Sequence, residues 1–117
     1  EEINIRNEIA YQYSKKLSDY YITPKIKNNR TSTWAQYTII TNDRDFFQSK
    51  LKEYGIPTRI YYPIPLHLQV CFKYLNYKQG DFPHSELASK EVISLPINAF
   101  MKEELNFIID KIISLNN

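Results

Sequence analysis

The stretch Gly55–Gln69, GIPTRIYYPIPLHLQ, decides how the rest of this sequence is read. Gly-Ile-Pro reads as a helix exit, because glycine takes a left-handed conformation at little cost and proline cannot continue a helix. From Ile56 onward the pattern alternates. Ile56, Thr58, Ile60 and Tyr62 fall on one face and Arg59 and Tyr61 on the other, which predicts a strand over 56–62. Pro57 confines that strand to an edge or makes Pro57 its first residue, and Pro63 ends it. The residues that follow are too rich in proline to become regular. Such a corner serves either as a rigid turn or as a mount that holds aromatic and polar tips over a ligand.

On the N-terminal side, Asn42 or Asp43 is placed to cap a helix carrying Phe47, Leu51 and Tyr54 on one face, with Gly55 just past its end. Before it, Trp34–Ile40 is aromatic and β-branched and reads as a strand. Residues 18–33 are polar, with Pro24 and the run Lys27 to Thr33, and read as a loop with room for one short strand. Asn29-Arg30-Thr31 within it matches a glycosylation sequon, a three-residue pattern that chance produces easily. From about Ile3 to Leu17, the residues Ile9, Tyr13 and Leu17, with Ala10 beside them, form one helical stripe. On the C-terminal side, HLQVCFKYL reads as a short helix and Asp81-Phe82-Pro83 as a helix entry. That helix runs to about Val92 and packs Leu87, Ala88 and Val92. Residues 93–96 read as a strand stopped by Pro96. Met101, Leu105, Ile108, Ile112 and Leu115 define the apolar face of a last helix. The expected architecture is α+β: a short, mainly antiparallel three-stranded sheet covered on one face by the first and last helices. Its main pair joins 34–40 either to 56–62 or to 93–95.

Composition narrows the function classes. The chain has 117 residues, 43% hydrophobic and 24% charged, and suits one globular domain. A formal charge of +2 gives no electrostatic argument for nucleic acid or an anionic membrane. No apolar run is long enough for a membrane span, and the acidic, polar start EEINIRNEIA is not a signal peptide. A start inside a helix is expected of a fragment of a longer protein. Cys71 is the only cysteine, so there is no internal disulfide, and a reducing, cytoplasmic setting is expected. No metal-ligand spacing, phosphate-binding glycine loop or nucleophile elbow is present. Cys71 and His67 are four apart, but Cys71 lies between Val70 and Phe72 and reads as a buried, inert thiol. Tyr37, Tyr61 and Tyr62 are candidate stacking platforms, without the basic, glycine and aromatic pattern of an RNA-binding strand. Residue chemistry alone favours Tyr61 and Tyr62 as core-edge aromatics and Arg59 as a solvated strand residue.

An ordered set of segments then carries a resemblance. Trp34-Ala35-Gln36-Tyr37-Thr38-Ile39, Gly55-Ile56-Pro57-Thr58, Tyr61-Tyr62-Pro63-x-Pro65-Leu66-His67-x-Gln69, Gly80-Asp81-Phe82-Pro83, Ser85-Glu86 and Ser94-Leu95-Pro96 follow in the order used by the C-terminal part of DegT/StrS-type (DegT/DnrJ/EryC/StrS) sugar aminotransferases. The resemblance runs from about Ile9 to Ile112 and corresponds to roughly the last third of a typical member. It implies the small C-terminal domain of a type I aminotransferase fold. The full-length enzyme would use pyridoxal phosphate to move an amino group from glutamate to a nucleotide-linked keto sugar, with a UDP sugar favoured, and would work as a homodimer. The cofactor lysine belongs to the large domain in this family and has no counterpart here. The chain alone is therefore expected neither to bind the cofactor nor to catalyse, but to pack on the large domain and close part of the sugar-nucleotide site.

The resemblance also assigns roles. Tyr61 and Tyr62 reach toward the sugar nucleotide. Tyr62 is favoured for direct contact, because Pro63 distorts the strand there, while alternation turns Tyr61 to the opposite face. Relatives often carry histidine at the Tyr61 position, and tyrosine keeps a hydroxyl but loses a group that titrates near neutral pH. Tyr61 is the second candidate for contact and Arg59 a candidate phosphate partner, and His67 and Gln69 either brace the loop or contact substrate. The alternative is a non-catalytic interaction or regulatory domain of the same fold.

Overall fold

A computed structural model describes residues 1–116. In chain order it contains α1 (Glu2–Leu17), β1 (Tyr37–Ile40), α2 (Arg44–Glu53), two 3₁₀ turns (Leu66–Leu68 and Val70–Leu75), α3 (Pro83–Glu91), β2 (Val92–Leu95) and α4 (Leu105–Ser114). The local signals act as their chemistry dictates. The Asp43 carboxylate caps α2 by accepting the Phe46 N–H at 3.3 Å. Gly55 leaves the helix at φ +76°. Its N–H donates to Lys52 O, and the Ile56 N–H donates to Leu51 O at 2.9 Å. This double closure brings the buried Leu51 and Ile56 together past the helix end. Pro83 opens α3 in its first turn.

The sheet has two strands among the described residues, not three. β1 and β2 are antiparallel, with Tyr37 opposite Leu95 and Ile39 opposite Ile93. The expected strand 56–62 contributes one antiparallel bridge, Arg59 to Ser94, on the far edge of β2. Pro57 and Pro63 lack N–H donors and punctuate the segment at both ends, and between them only Arg59 exchanges backbone hydrogen bonds with β2. β1 begins at Tyr37 instead of Trp34, because Trp34 sits at φ +50° with its indole N–H donating to Asn7 Oδ1 at 2.9 Å.

One face of this ladder forms the core. Tyr37, Ile39, Ile93 and Leu95 pack with Ile9, Ala10, Tyr13 and Leu17 of α1, Phe47 and Leu51 of α2, and Leu105, Ile108, Ile109 and Ile112 of α4. The helices expected to cover the sheet do so, and α2 joins them. Buried phenols are satisfied: the Tyr13 hydroxyl donates to Pro96 O at 2.9 Å, and the Tyr37 hydroxyl bonds Ser14 Oγ at 2.8 Å. Burial raises the pKa of both, so they remain neutral polar pins in the core. Tyr37 is consequently a core residue and not a stacking platform. Tyr54 is not on the buried face; it ends α2 exposed, with Lys111 Nζ 4.7 Å from its ring centre. On α3 the expected Leu87 is exposed, and Ser89 is buried in its place. Arg44 donates to Ser89 O and ties α2 to α3 there.

The core makes a stability prediction. Ile112→Ala removes a fully buried side chain and should cost about 2–5 kcal/mol in chemical denaturation. Phe107→Ala, half-exposed on the outer face of the same helix, should change stability by about 0.5 kcal/mol or less. Equal losses would place the core on the wrong face of α4.

Candidate functional site

The face of the ladder turned away from the core carries Thr38 and Ser94, whose hydroxyls bond at 2.8 Å. Arg59 joins them through two backbone hydrogen bonds to Ser94, its N–H donating at 3.1 Å and its carbonyl accepting at 2.7 Å. The chain leaves the sheet immediately afterwards and delivers Tyr61 and Tyr62 to the surface, 42% and 59% exposed. The peptide between the two tyrosines is cis. Alternation does not separate their rings as expected: the centroids lie 5.7 Å apart, edge to face.

Two clefts meet at this corner. One, of about 210 Å³, is lined by Gln36, Thr58, Arg59, Tyr61 and Ser94 among others. The other, of about 270 Å³, has Tyr61, Tyr62, Ile64 and Leu66 on one side and Thr38, Ser85 and Ala88 on the other. Tyr61 lines both. The polar groups offered are phenols, hydroxyls, one amide and the Arg59 guanidinium, which is exposed and held by Thr58 O at 3.2 Å. This set suits hydrogen bonding to a hydroxyl-rich ligand and pairing with an anionic group. It does not suit a cofactor held as a Schiff base, since neither cleft is lined by a lysine. Among the described residues, no group of three or more His, Cys, Asp or Glu is placed to hold a metal, and no helix is long and apolar enough to cross a membrane.

His67 and Gln69 turn inward to the protein. Gln69 donates to Ile64 O at 3.1 Å, closing the loop on itself. His67 Nε2 lies 2.9 Å from Glu86 Oε1, and the same oxygen accepts the Gly80 N–H at 2.7 Å. The Phe82 ring packs 4.8 Å from His67, and Tyr77 packs on Phe82 in turn. Of the two roles left open by the sequence, the observed contacts of both residues are bracing ones. Glu86 is the residue that sequence reasoning missed. It belongs to the Ser85-Glu86 segment but lies 19 residues from His67, so no local spacing joins them. Cys71 is exposed instead of buried, with its thiol 3.9 Å from Gln69 Oε1. The 3₁₀ turn carrying it sends no side chain into the core, and the extended Gln69 breaks the helical relation to His67.

Comparison with known proteins places this geometry. The pattern of the DegT/DnrJ/EryC1/StrS aminotransferase family matches residues 1–113. The chain is 43% identical over 112 residues to a pleiotropic regulatory protein of Geobacillus stearothermophilus, covering 92% of this chain and 30% of that protein. It is 35% identical over 102 residues to the UDP-2-acetamido-2-deoxy-3-oxo-D-glucuronate aminotransferase of Pseudomonas aeruginosa, covering 86% and 28%. Among solved structures, a DegT DnrJ EryC1 StrS aminotransferase from Brucella abortus superposes with a TM-score of 0.89 at 34% identity, over 97% of this chain and 31% of that one. The chain thus spans about three tenths of the length of these relatives.

The brace makes an electrostatic prediction. Desolvation pushes the Glu86 carboxyl up, but hydrogen bonds from Gly80, His67 and the Phe82 backbone outweigh it and hold the group below its ordinary value. The folded value lies below the unfolded one. The brace therefore stabilises the fold fully above the unfolded value, and that contribution is lost as pH falls through the folded value. Carboxyl-detected NMR should show Glu86 titrating below the ordinary glutamate range, with the Gly80 amide shifting in the same step. A Glu86 titration at or above that range would remove the brace.

Proposed function

The chain belongs to the DegT/DnrJ/EryC1/StrS aminotransferase family, and from that premise we propose that it forms the small C-terminal domain of a pyridoxal-phosphate enzyme. The enzyme transfers an amino group from glutamate to a nucleotide-linked keto sugar, with a UDP sugar favoured. It works in the cytoplasm as a homodimer. The observation that carries this reading is the tyrosine corner, where Arg59, Tyr61 and Tyr62 converge around two clefts on the side of the sheet that the core leaves open. The relative from Pseudomonas aeruginosa, named for a UDP-linked keto sugar acid, supports the choice of nucleotide.

Each residue then has a task. Bound cofactor would supply the electron sink for the transfer, and its anchoring lysine is assigned to the large domain outside this chain. Tyr62, the more exposed of the pair, donates or accepts a hydrogen bond at the sugar nucleotide. Tyr61 lies between the two clefts and shapes both. The Arg59 guanidinium pairs with a phosphate or a sugar carboxylate. His67 and Gln69 keep the loop in place. Proline on both sides of the corner restricts its backbone, so little ordering entropy is lost when ligand binds. A second reading has one observation in its favour: the relative from Geobacillus stearothermophilus is named as a regulatory protein, so a non-catalytic interaction domain of the same fold is the alternative.

Two experiments decide. In the intact enzyme, Tyr62→Phe and Tyr61→Phe each remove one hydroxyl, and loss of a neutral hydrogen bond should cost about 0.5–1.5 kcal/mol. The sugar half-reaction should slow while the glutamate half-reaction keeps its rate. Wild-type sugar kinetics in both variants would make the corner a structural brace. Separately, the 117-residue chain mixed with excess pyridoxal phosphate, reduced with borohydride and desalted should carry no stoichiometric adduct on a single lysine. Such an adduct would relocate the cofactor site into this domain.

A further inference from the structure

We propose that Glu86 is a positioning residue for the tyrosine corner, acting as a clasp that fixes the width of the cleft beneath Tyr61 and Tyr62. Its consequence for substrate rests on the sugar-nucleotide reading above. The larger of the two clefts has one wall on the loop (Tyr61, Tyr62, Ile64, Leu66) and its other wall on α3 and the sheet (Ser85, Ala88 and Thr38). Among the described residues, the loop 61–69 and the helix 83–91 are joined by one side-chain hydrogen bond, His67 Nε2 to Glu86 Oε1 at 2.9 Å. The same oxygen holds the Gly80 N–H at 2.7 Å, so a single carboxylate fixes the loop, the entry to α3 and the helix at once.

Three features make this contact a clasp and not an ordinary surface pair. First, it is sheltered: the His67 and Glu86 side chains are 7% and 14% exposed, with the Phe82 ring against the imidazole. Charge-assisted contacts so placed are screened far less than exposed ones. Second, the hydrophobic core does not back it up, since no residue from Tyr61 to Leu87 is buried. Third, its effect is transmitted: Gln69 donates to Ile64 O, so a shift of His67 carries Ile64–Leu66 and the cleft wall with it. Losing the carboxylate leaves Tyr61 tethered to the sheet through Arg59, while the wall beyond Tyr62 is released.

The test uses the intact enzyme with Glu86→Ala and the isosteric Glu86→Gln, which keeps an acceptor for Gly80 and loses the charge. Hydrogen exchange read by mass spectrometry reports the clasp directly. Glu86→Ala should speed exchange in peptides covering 62–82 and leave those of α1, β1 and α4 unchanged, with Glu86→Gln intermediate. Kinetics report the consequence: the KM for the UDP sugar should rise about tenfold in Glu86→Ala, with the KM for glutamate unchanged. Unchanged exchange in 62–82 overturns the clasp. Faster exchange with an unaltered sugar KM overturns its positioning role and leaves a structural brace. If exchange rises in 62–82 but the Tyr62→Phe and Tyr61→Phe enzymes treat the sugar as wild type, the clasp stands and the assigned ligand falls.

Discussion

The backbone of Ser94 is the joint on which this domain turns. On one side it is in register with Thr38 of β1, and on the other it exchanges two hydrogen bonds with Arg59. The first contact belongs to a ladder whose opposite face is welded into the helical core. The second transfers that rigidity to a segment with no ladder of its own. Because Arg59 is held in this way, the chain leaves the sheet at a fixed point, and the two tyrosines follow within three residues. Precision at the corner thus comes from the sheet, although the corner itself is irregular. A scaffold of this kind suits ligand contacts, which tolerate little positional error.

How far this was legible in the sequence follows from what each signal reports. The stripes of α1, α2 and α4 were readable because burial imposes a helical period, and Ile9, Tyr13, Leu17, Phe47, Leu51, Ile108 and Ile112 are all core. Gly55 and Asp43 were readable because caps depend on local backbone chemistry. The segment 56–62 misled, because alternation describes side chains and says nothing of which backbone groups pair, and only Arg59 pairs with the sheet. On α3 the expected stripe misplaced the buried face: Leu87 is exposed and Ser89 is buried, with its backbone carbonyl accepting from Arg44 of α2. Of the candidate site, Arg59, Tyr61 and Tyr62 were legible as residues, and the fold places them around two adjoining clefts. The clasp was invisible: His67 and Glu86 come from different elements, and only folding brings them together.

The molecule also has an uneven build. Its radius of gyration is 15.7 Å, against roughly 13 Å for a compact domain of this length. The arm beyond Tyr62 is open to solvent: Val70 is 88% exposed, and Tyr74 and Leu75 also face outward. Between Tyr62 and α3 the chain is surface, held by the His67–Glu86 contact and by the packing of Phe82 on His67 and of Tyr77 on Phe82. The arm leaves from the corner that carries the tyrosines.

That division sets how freely the arm can change. Its two ends are pinned, by the sheet at Arg59 and by the start of α3. For a segment closed between fixed ends, the entropic cost grows only with the logarithm of its length, so a doubling costs about 0.6 kcal/mol. Residues added to or removed from the arm would leave the β1–β2 ladder and its helices nearly as stable as before. Related domains can therefore diverge at the arm, in length and in the chemistry it presents, while the base that carries it stays constant. The part that walls the clefts at the tyrosine corner is the part that evolution can edit at least risk to the fold.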